Sequence, residues 1–299
     1  MKKRAGAQRH LGGGHPPSSA AADGVVDQGT VTHSDIVEAS ARVDPSLRRR
    51  SELLWERPAS TRGPKAAFTP EDVVQVAIGI ADDEGLAAMT MQAVARRLGL
   101  TTMALYRYFP NKEALYDAIV DAGMGPPPAP RDPDAHWRTR VREWSHAKRA
   151  MLVARPWLAE LPFVAAPHGP NWLLWLEAIA EPLSATGLGG PDLAQMLSLV
   201  DGYTRGASDT AISLARAKAR GVSAAEWAAG VGADLGRAIG DPRFRAFAAI
   251  ITAPPAGTPL TLDESFDFGL ERVLDGISMF IDRKTRVGGQ RKYRGGSHG

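Results

Sequence analysis

Apolar residues recur at helical spacing along most of the chain after residue 68. Positions 73, 74, 77, 78 and 81, for example, are Val, Val, Ala, Ile and Ala, and they share one face of a helix. Alternating β-branched runs and Asn-Gly hairpins, which would predict strands, do not occur. The pattern therefore predicts an all-α fold, with later helices at about 134–154, 171–186, 191–220, 224–239 and 263–284.

Start and stop signals divide residues 68–123 into four short helices. The expected N-caps are Thr69, Thr90, Thr101 and Asn111, whose side-chain oxygens can accept from the first free N–H groups. Gly85 and Gly99 end the first two helices, and Pro110 ends the third. A helix of about eight residues, a tight turn at Gly99 and a second short helix is the spacing of a helix-turn-helix motif.

The third helix carries many polar-tipped side chains for its length. Leu105 and Phe109 lie four positions apart and are predicted to face the core. Hydroxyls, aromatic rings and positive charges are left on the other faces, where they suit phosphate oxygens and base edges. We interpret residues 101–112 as a DNA-reading segment. The alternative is that its rings are ordinary half-buried core residues and its charges are merely solvated.

The run from Phe68 to Gly123 resembles the N-terminal domain of the tetracycline-repressor (TetR) family of bacterial transcriptional regulators. The resemblance is carried by "MTMQAVARRLGLTTMALYRYFPNKEAL", with its G-L-x-x-x-x-L-Y-x-Y-F-x-N-K-E-x-L spacing. It implies base-facing positions for Gln92, Thr101, Thr102 and Met103. It implies phosphate-contacting positions for Thr90, Tyr106, Arg107, Tyr108 and Lys112. Family members often have a basic residue at the position of Gln92 or Met103, so its absence here leaves the operator sequence open.

The resemblance also implies a function and partners. Such regulators are usually repressors that bind near-palindromic double-stranded operator DNA as homodimers and are released by a small molecule. An apolar stripe in 263–284, together with 191–215, is expected to form the dimer contact. An architectural or constitutive DNA-binding protein without an effector is the alternative.

The charge distribution is less favourable to DNA binding. Residues 66–125 hold four Lys/Arg against eight Asp/Glu, so a DNA-binding face must come from local placement of charge. Six basic residues lie just before this segment, between positions 48 and 65: Arg48, Arg49, Arg50, Arg57, Arg62 and Lys65. Such an arm can follow phosphates or enter a minor groove. A solvated charge run is an equally good interpretation, and docking of Leu54 and Trp55 on the body is a third.

Composition divides the chain into four parts. Residues 1–65 are predicted to be a disordered basic extension and linker, with a short helix at 44–57. Residues 66–125 form the predicted helix-turn-helix domain. The proline-rich run 124–133 separates this domain from a helical effector-binding and dimerisation domain at 132–284. Residues 285–299 are expected to be a disordered basic tail.

Six of the seven tryptophans lie beyond residue 125, and the segment 155–176 is interrupted by prolines. A kinked aromatic segment between helices suits the wall of an apolar cavity. The residues expected to line a pocket for an unknown small apolar effector are Trp157, Phe163, Trp172, Trp175 and Tyr203. Core packing is the alternative for each of these rings.

Several classes of protein are excluded by what the sequence lacks. The chain has no cysteine, which excludes disulfides and cysteine-based metal or catalytic sites. No apolar run is long enough to span a bilayer, and we expect a cytoplasmic, nucleoid-associated protein with no membrane partner. No G-x-S-x-G, H-E-x-x-H or P-loop pattern occurs, so we expect no enzyme activity, no cofactor and no metal.

Overall fold

The computed structural model describes residues 44–55, 68–160, 168–254 and 260–294, with side chains up to residue 286. These residues contain α-helices and short 3-10 turns, and no strand. The α-helices are α1 (Pro45–Trp55), α2 (Pro70–Glu84), α3 (Met91–Arg97), α4 (Thr102–Leu105), α5 (Lys112–Met124), α6 (Trp137–Ala154), α7 (Pro170–Ser184), α8 (Gly190–Ala219), α9 (Ala224–Gly236), α10 (Arg245–Thr252) and α11 (Leu262–Arg294). The all-α prediction is confirmed, whereas the domain boundaries stay predictions. Of the predicted disordered extension 1–65, residues 1–43 and 56–65 lie outside the described residues.

The predicted helix caps of the N-terminal domain are confirmed. Thr69 and Asp72 form a capping box, in which each side chain accepts from the backbone N–H of the other. The side chains of Thr90, Thr101 and Asn111 each accept from an N–H three residues later. These contacts satisfy donors that a helix start otherwise leaves unpaired, which is why the boundaries follow the local sequence closely.

The DNA-reading segment contains one turn of regular α-helix, followed by hydrogen-bonded turns that are not regular helix. Regular helix covers only Thr102–Leu105, and Tyr108 and Phe109 then donate their N–H groups to the Leu105 carbonyl at 2.9 and 3.2 Å. Leu105 and Phe109 are buried as predicted. Gly99, at φ 67°, makes the left-handed turn between α3 and α4. The motif therefore has helix-turn-helix geometry with a short second helix.

The C-terminal helices pack around α6. This helix lies between α7 and α8, while α8 also packs on α11. A row of polar contacts joins α6 to α11: ion pairs of Arg138 with Glu271 and Asp275, of Arg142 with Glu271 and of Arg149 with Asp263, and a contact of His146 with Asp267. Residue numbers rise along α6 as they fall along α11, so the two helices run antiparallel at this contact.

Two features of the C-terminal region differ from expectation. Helix α11 continues to Arg294, into the segment 285–299 that was expected to be a disordered tail. Its Gly288-Gly289 pair lowers helix propensity by about 1 kcal/mol per glycine, but it removes no backbone hydrogen bond as proline would. Helix α10 was not predicted, because eight residues are too few for a clear periodic pattern.

The apolar stripe of α11 is largely internal to the chain. Phe266, Leu270, Leu274 and Ile277 are at most 1% exposed and belong to the core. Most of the stripe that was expected to form the dimer contact therefore packs within its own chain, and only the outer face of α11 is left for a partner. Among the described side chains of α11, the large apolar residues that remain exposed are Leu262, Phe268 and Met279.

Candidate DNA-binding surface and effector domain

The residues expected to contact DNA lie at the surface around α4. Of these nine residues, Thr102 and Tyr108 are half-buried and the other seven are exposed. Met103 has 76% of its surface exposed and Tyr106 has 42%. Leu105 and Phe109 supply the inward anchors of the same turn, so these exposed side chains are free to contact a partner.

Hydroxyl and ammonium groups on this surface are held in place by local contacts. Thr90 and Thr101 use a lone pair as helix caps, which leaves their hydroxyl protons available to donate to phosphate oxygens. The Nζ atom of Lys112 lies 4.9 Å from the centroid of the Tyr116 ring, one helical turn away. The surface therefore presents oriented donors, as backbone recognition of DNA requires.

Most acidic side chains of residues 66–125 are paired with other groups or buried, away from α4. Asp83 and Glu84 lie within 3.2 and 3.6 Å of Arg97, while Asp82 accepts from residues of the C-terminal region. The carboxyls of Asp117 and Asp121 are buried. The excess of acidic residues in 66–125 is consequently no obstacle to a DNA-binding surface at α4.

One contact between the two domains is formed by Trp157 and Asp82. The indole Nε1 donates to Asp82 Oδ1 at 2.6 Å, and Arg155 donates to the Gly123 carbonyl at 2.7 Å. A Cβ atom at Gly123 would lie 2.6 Å from the Trp157 ring, so only glycine allows this approach. The C-terminal ends of α2 and α5 are thereby fixed to the segment after α6.

A second contact joins α5 to the start of α7. Asp121 Oδ1 accepts the Trp172 N–H at 3.0 Å, and Oδ2 accepts the Asn171 amide at 3.1 Å. Burial raises the pKa of the Asp121 carboxyl, and these donors oppose that rise. A Cβ at Gly169 would lie 2.3 Å from the Asp121 side chain, so glycine is required here too. The carboxylate acts as an N-cap supplied by another helix.

Helix α1 docks on the same junction. Arg50 donates to both oxygens of Asp117 at 2.5 and 2.7 Å, and Trp55 Nε1 donates to the His168 carbonyl at 3.1 Å. Docking on the body is therefore correct for Trp55, and Leu54 is half-buried. Arg50, one of the predicted arm residues, also docks there, whereas Arg48 and Arg49 are exposed. The other arm residues, Arg57, Arg62 and Lys65, lie outside the described residues.

The predicted pocket residues have different neighbours in the structure, and their common role in lining a pocket stays a prediction. Trp157 contacts Asp82, Trp172 stacks on His168 with ring centroids 3.7 Å apart, and the Tyr203 hydroxyl donates to the Phe266 carbonyl at 2.6 Å. Trp175 alone of these residues lines the cleft described next. Phe163 lies outside the described residues. Because these residues lie far apart along the chain, the sequence did not indicate which neighbours each ring would contact.

A cleft of about 820 Å³ lies between α6, α7 and the proline-rich segment 127–131. Its wall includes Trp144 and Trp175, whose rings meet edge-on with centroids 5.9 Å apart. The indole of Trp144 donates to the Trp175 carbonyl, and that of Trp175 donates to the Gly125 carbonyl. Each ring is thus fixed by its own hydrogen bond. Sequence reasoning missed Trp144 as a partner of Trp175, although both belong to the tryptophan-rich half of the chain.

A buried lysine lies next to these rings. The Lys148 ammonium is 5.6 and 5.2 Å from the centroids of Trp144 and Trp175, and 3.7 Å from the Asp201 carboxylate. Burial lowers the pKa of Lys148, and Asp201 opposes this effect. The interior between α6 and α8 therefore has a polar centre beside an aromatic wall.

Comparison with known proteins decides the family. Residues 73–119 match the model of bacterial regulatory proteins of the tetR family, and residues 129–281 match the tetracyclin repressor-like C-terminal domain. The second match alone covers half of the chain. The chain belongs to the TetR family. It is accordingly a helix-turn-helix transcriptional regulator that binds DNA.

Individual relatives of this TetR-family chain are similar over most of its length. The HTH-type transcriptional repressor DrrR1 of Streptomyces coeruleorubidus is 32% identical over 264 residues, covering 86% of this chain and 94% of DrrR1. Apo ActR of Streptomyces coelicolor is 25% identical with a TM-score of 0.59, covering 74% of this chain and 100% of ActR. A structure of ActR in complex with actinorhodin is 26% identical with a TM-score of 0.58, covering 72% and 99%.

The described residues contain neither a membrane-spanning helix nor a cluster of metal ligands. No helix there has the length and apolar content needed to cross a membrane. Groups of three or more His, Asp or Glu side chains able to hold a metal ion are likewise absent from that part of the chain.

Proposed function

We propose that this TetR-family protein is a repressor that binds a near-palindromic operator as a homodimer and is released by a small molecule. The observation that carries the proposal is the exposed surface around α4, where capped short helices present hydroxyls, rings and Lys112. The similarity to the repressor DrrR1 supports repression over activation.

On this proposal the DNA contacts fall into two groups. Gln92, Thr101, Thr102 and Met103 face base edges, with the exposed Met103 side chain suited to a thymine methyl group. Thr90, Tyr106, Arg107, Tyr108 and Lys112 contact phosphates and set the position of the motif on the duplex. The first group accordingly determines sequence preference and the second determines affinity.

The homodimer is proposed to form through the outer faces of α8 and α11. These helices pack on each other within the chain, and Lys284 of α11 forms an ion pair with Asp192 of α8 at 2.8 Å. Leu199, Phe268 and Met279 are left exposed on the two helices. Two such helix pairs related by a two-fold axis would form a four-helix bundle. The dimer would hold its reading helices roughly 34 Å apart, one turn of DNA.

The effector is proposed to be a small apolar molecule that binds beside Trp175 in the cleft between α6 and α7. ActR, which has the same fold, is described in complex with actinorhodin. A molecule seated there would press on α7, whose N-terminus is bonded to α5 through Asp121. By linkage, a tenfold loss of operator affinity needs about 1.4 kcal/mol of coupling, and the operator must weaken effector binding by the same factor.

The test begins with selection of duplexes from a random pool by the full-length protein. The proposal predicts enrichment of an inverted repeat with half-sites one helical turn apart. Small aromatic compounds that quench tryptophan fluorescence are then titrated with and without the selected duplex. Equal affinities in both titrations would favour a constitutive DNA-binding protein, and a pool with no enriched sequence would contradict the proposal altogether.

A further inference from the structure

Helix α1 lies across the junction between the DNA-binding domain and the C-terminal domain. Its Arg50 reaches α5 at Asp117, and its Trp55 reaches the His168 carbonyl just before α7. Leu53, between them, packs against the hydrophobic core. One short helix thus contacts both elements that meet at Asp121.

Two acidic residues of α5 make this junction sensitive to charge. Asp117 and Asp121 are one turn apart and are only 4% and 8% exposed. Like charges at this spacing repel each other, and burial of each carboxylate is costly. The N–H donors at the start of α7 offset the cost of burying the Asp121 carboxylate, and the Arg50 guanidinium offsets that of Asp117. The guanidinium comes from a residue 67 positions away in sequence.

The direction of α5 matters for DNA recognition. Its first residue, Lys112, follows the buried anchor Phe109 after only Pro110 and Asn111, and its last turn contacts the C-terminal domain. Any rotation of α5 against α7 must therefore move α4. A misplacement of about 1 Å in one reading helix disturbs base contacts across a dimeric site.

We infer that α1 is a clasp that holds α5 against the start of α7, and that Arg50, Asp117 and Trp55 are positioning residues for operator binding. The expected effect of the clasp on operator affinity rests on the proposed DNA-binding function. Its expected effect on the junction between α5 and α7 does not. Arg50 acts through Asp117 and makes no phosphate contact of its own. Removing the guanidinium leaves a buried carboxylate without its partner, which loosens the junction.

The experiment compares full-length variants in operator affinity, salt dependence and hydrogen exchange. Arg50→Ala and Asp117→Asn are each expected to weaken binding of the selected duplex about tenfold, with the wild-type salt slope because no phosphate contact is lost. The Trp172 amide, which is bonded to Asp121, should exchange faster in both variants. Arg49→Ala, on the exposed side of α1, is the matched control and should leave the exchange of Trp172 unchanged.

A double substitution separates a clasp from a general loss of stability. Arg50→Met combined with Asp117→Leu replaces a buried ion pair by apolar groups, which is often neutral for stability. The double variant should recover operator affinity to within about threefold of wild type. Trp55→Phe, which removes only the bond to the His168 carbonyl, should give a smaller loss in the same direction.

Three results would overturn the inference. These are unchanged Trp172 exchange in Arg50→Ala, a reduced salt slope in that variant, and a double variant as weak as the single ones. The exchange measurement needs no DNA. If the wild type selects no operator, the proposed function fails, while exchange at Trp172 still decides whether the clasp exists.

Discussion

Asp121 of α5 accepts the backbone N–H of Trp172 at 3.0 Å and so caps α7 from another domain. The helix that follows the DNA-reading segment is thereby bonded to the helix that forms one wall of the cleft. Because the carboxylate meets the positive end of the α7 dipole, a displacement of either helix weakens the same contact. This bond therefore lies between the proposed DNA and effector sites.

Loss of the Asp121 carboxylate should destabilise the fold. Asp121→Ala leaves the Trp172 N–H and the Asn171 amide buried without their acceptor, at a cost of about 1–3 kcal/mol. Urea denaturation measures the change in the free energy of unfolding. Asp134→Ala, in the exposed loop before α6, is the control and should be near neutral. Equal stability of the two variants would contradict a capping role.

Phosphate contacts should be visible in the salt dependence of operator binding. Lys112→Ala is expected to weaken binding and to reduce the salt slope by about one, because one fewer counterion is released. Tyr106→Ala should weaken binding with little change in slope. Lys218→Ala, exposed at the far end of α8, should bind as the wild type does. A gel-shift titration in which all three variants match the wild type would contradict the assignment of the reading surface.

Loss of a base-contacting side chain should change the sequence preference of the protein, and not its affinity for random DNA. Met103→Ala and Thr102→Ala are expected to relax discrimination at one position of each half-site by about 1–3 kcal/mol. Repeating the duplex selection with each variant measures this effect. If the variants enrich the same sequence as the wild type, with equally strong preference at every position, α4 does not read those bases.

The dimer should depend on the exposed side of α11. Light scattering of the wild type should give twice the 31.9 kDa chain mass, and Met279→Arg should shift it to the monomer. Ile277 is unsuitable for this test, since at 1% exposure its replacement by Arg would damage the core. Leu47→Arg, exposed on α1, is the control and should stay dimeric. A wild-type mass near 31.9 kDa at micromolar concentration contradicts the proposed dimer.

The contact between α6 and α11 should lose stability in acid. The hydrogen bond from Arg138 is the main reason that the pKa of Glu271 lies below its ordinary value. A lowered folded-state pKa contributes stability above the unfolded value of about 4.3, and the contribution is lost as the pH falls through the folded-state value. Glu271→Gln should therefore lower the urea midpoint at pH 7 and change it less at pH 3. An equal change at both values would show that the ionised carboxylate contributes nothing.

Local features of the fold were predictable from sequence, and long-range pairs were not. The caps at Thr69, Thr90, Thr101 and Asn111 each act within three residues, so their chemistry is visible in the sequence itself. The bonds from Arg50 to Asp117 and from Trp157 to Asp82 join residues 67 and 75 positions apart. Nothing in the sequence indicates which arginine meets which buried carboxylate.

The tryptophans show the same limit at the proposed effector site. Their abundance after residue 125 directed attention to the C-terminal domain, but an indole is equally suited to a core, a domain contact or a cleft wall. Trp157 lies at the contact with α2, and Trp175 lies in the cleft wall. Only the packing of α6 against α7 separates these roles, and packing depends on all the helices together.

The most direct test of the account is the ratio of affinities for the selected duplex and for a scrambled duplex of equal length, measured at one physiological salt concentration. A specific regulator should prefer the selected duplex by at least about 10³-fold. Tyr106→Ala should weaken both duplexes by similar factors, because it removes a phosphate contact. A wild-type ratio near one, with equal salt slopes for the two duplexes, would mean that the protein binds DNA only by charge and would contradict the reading surface at α4.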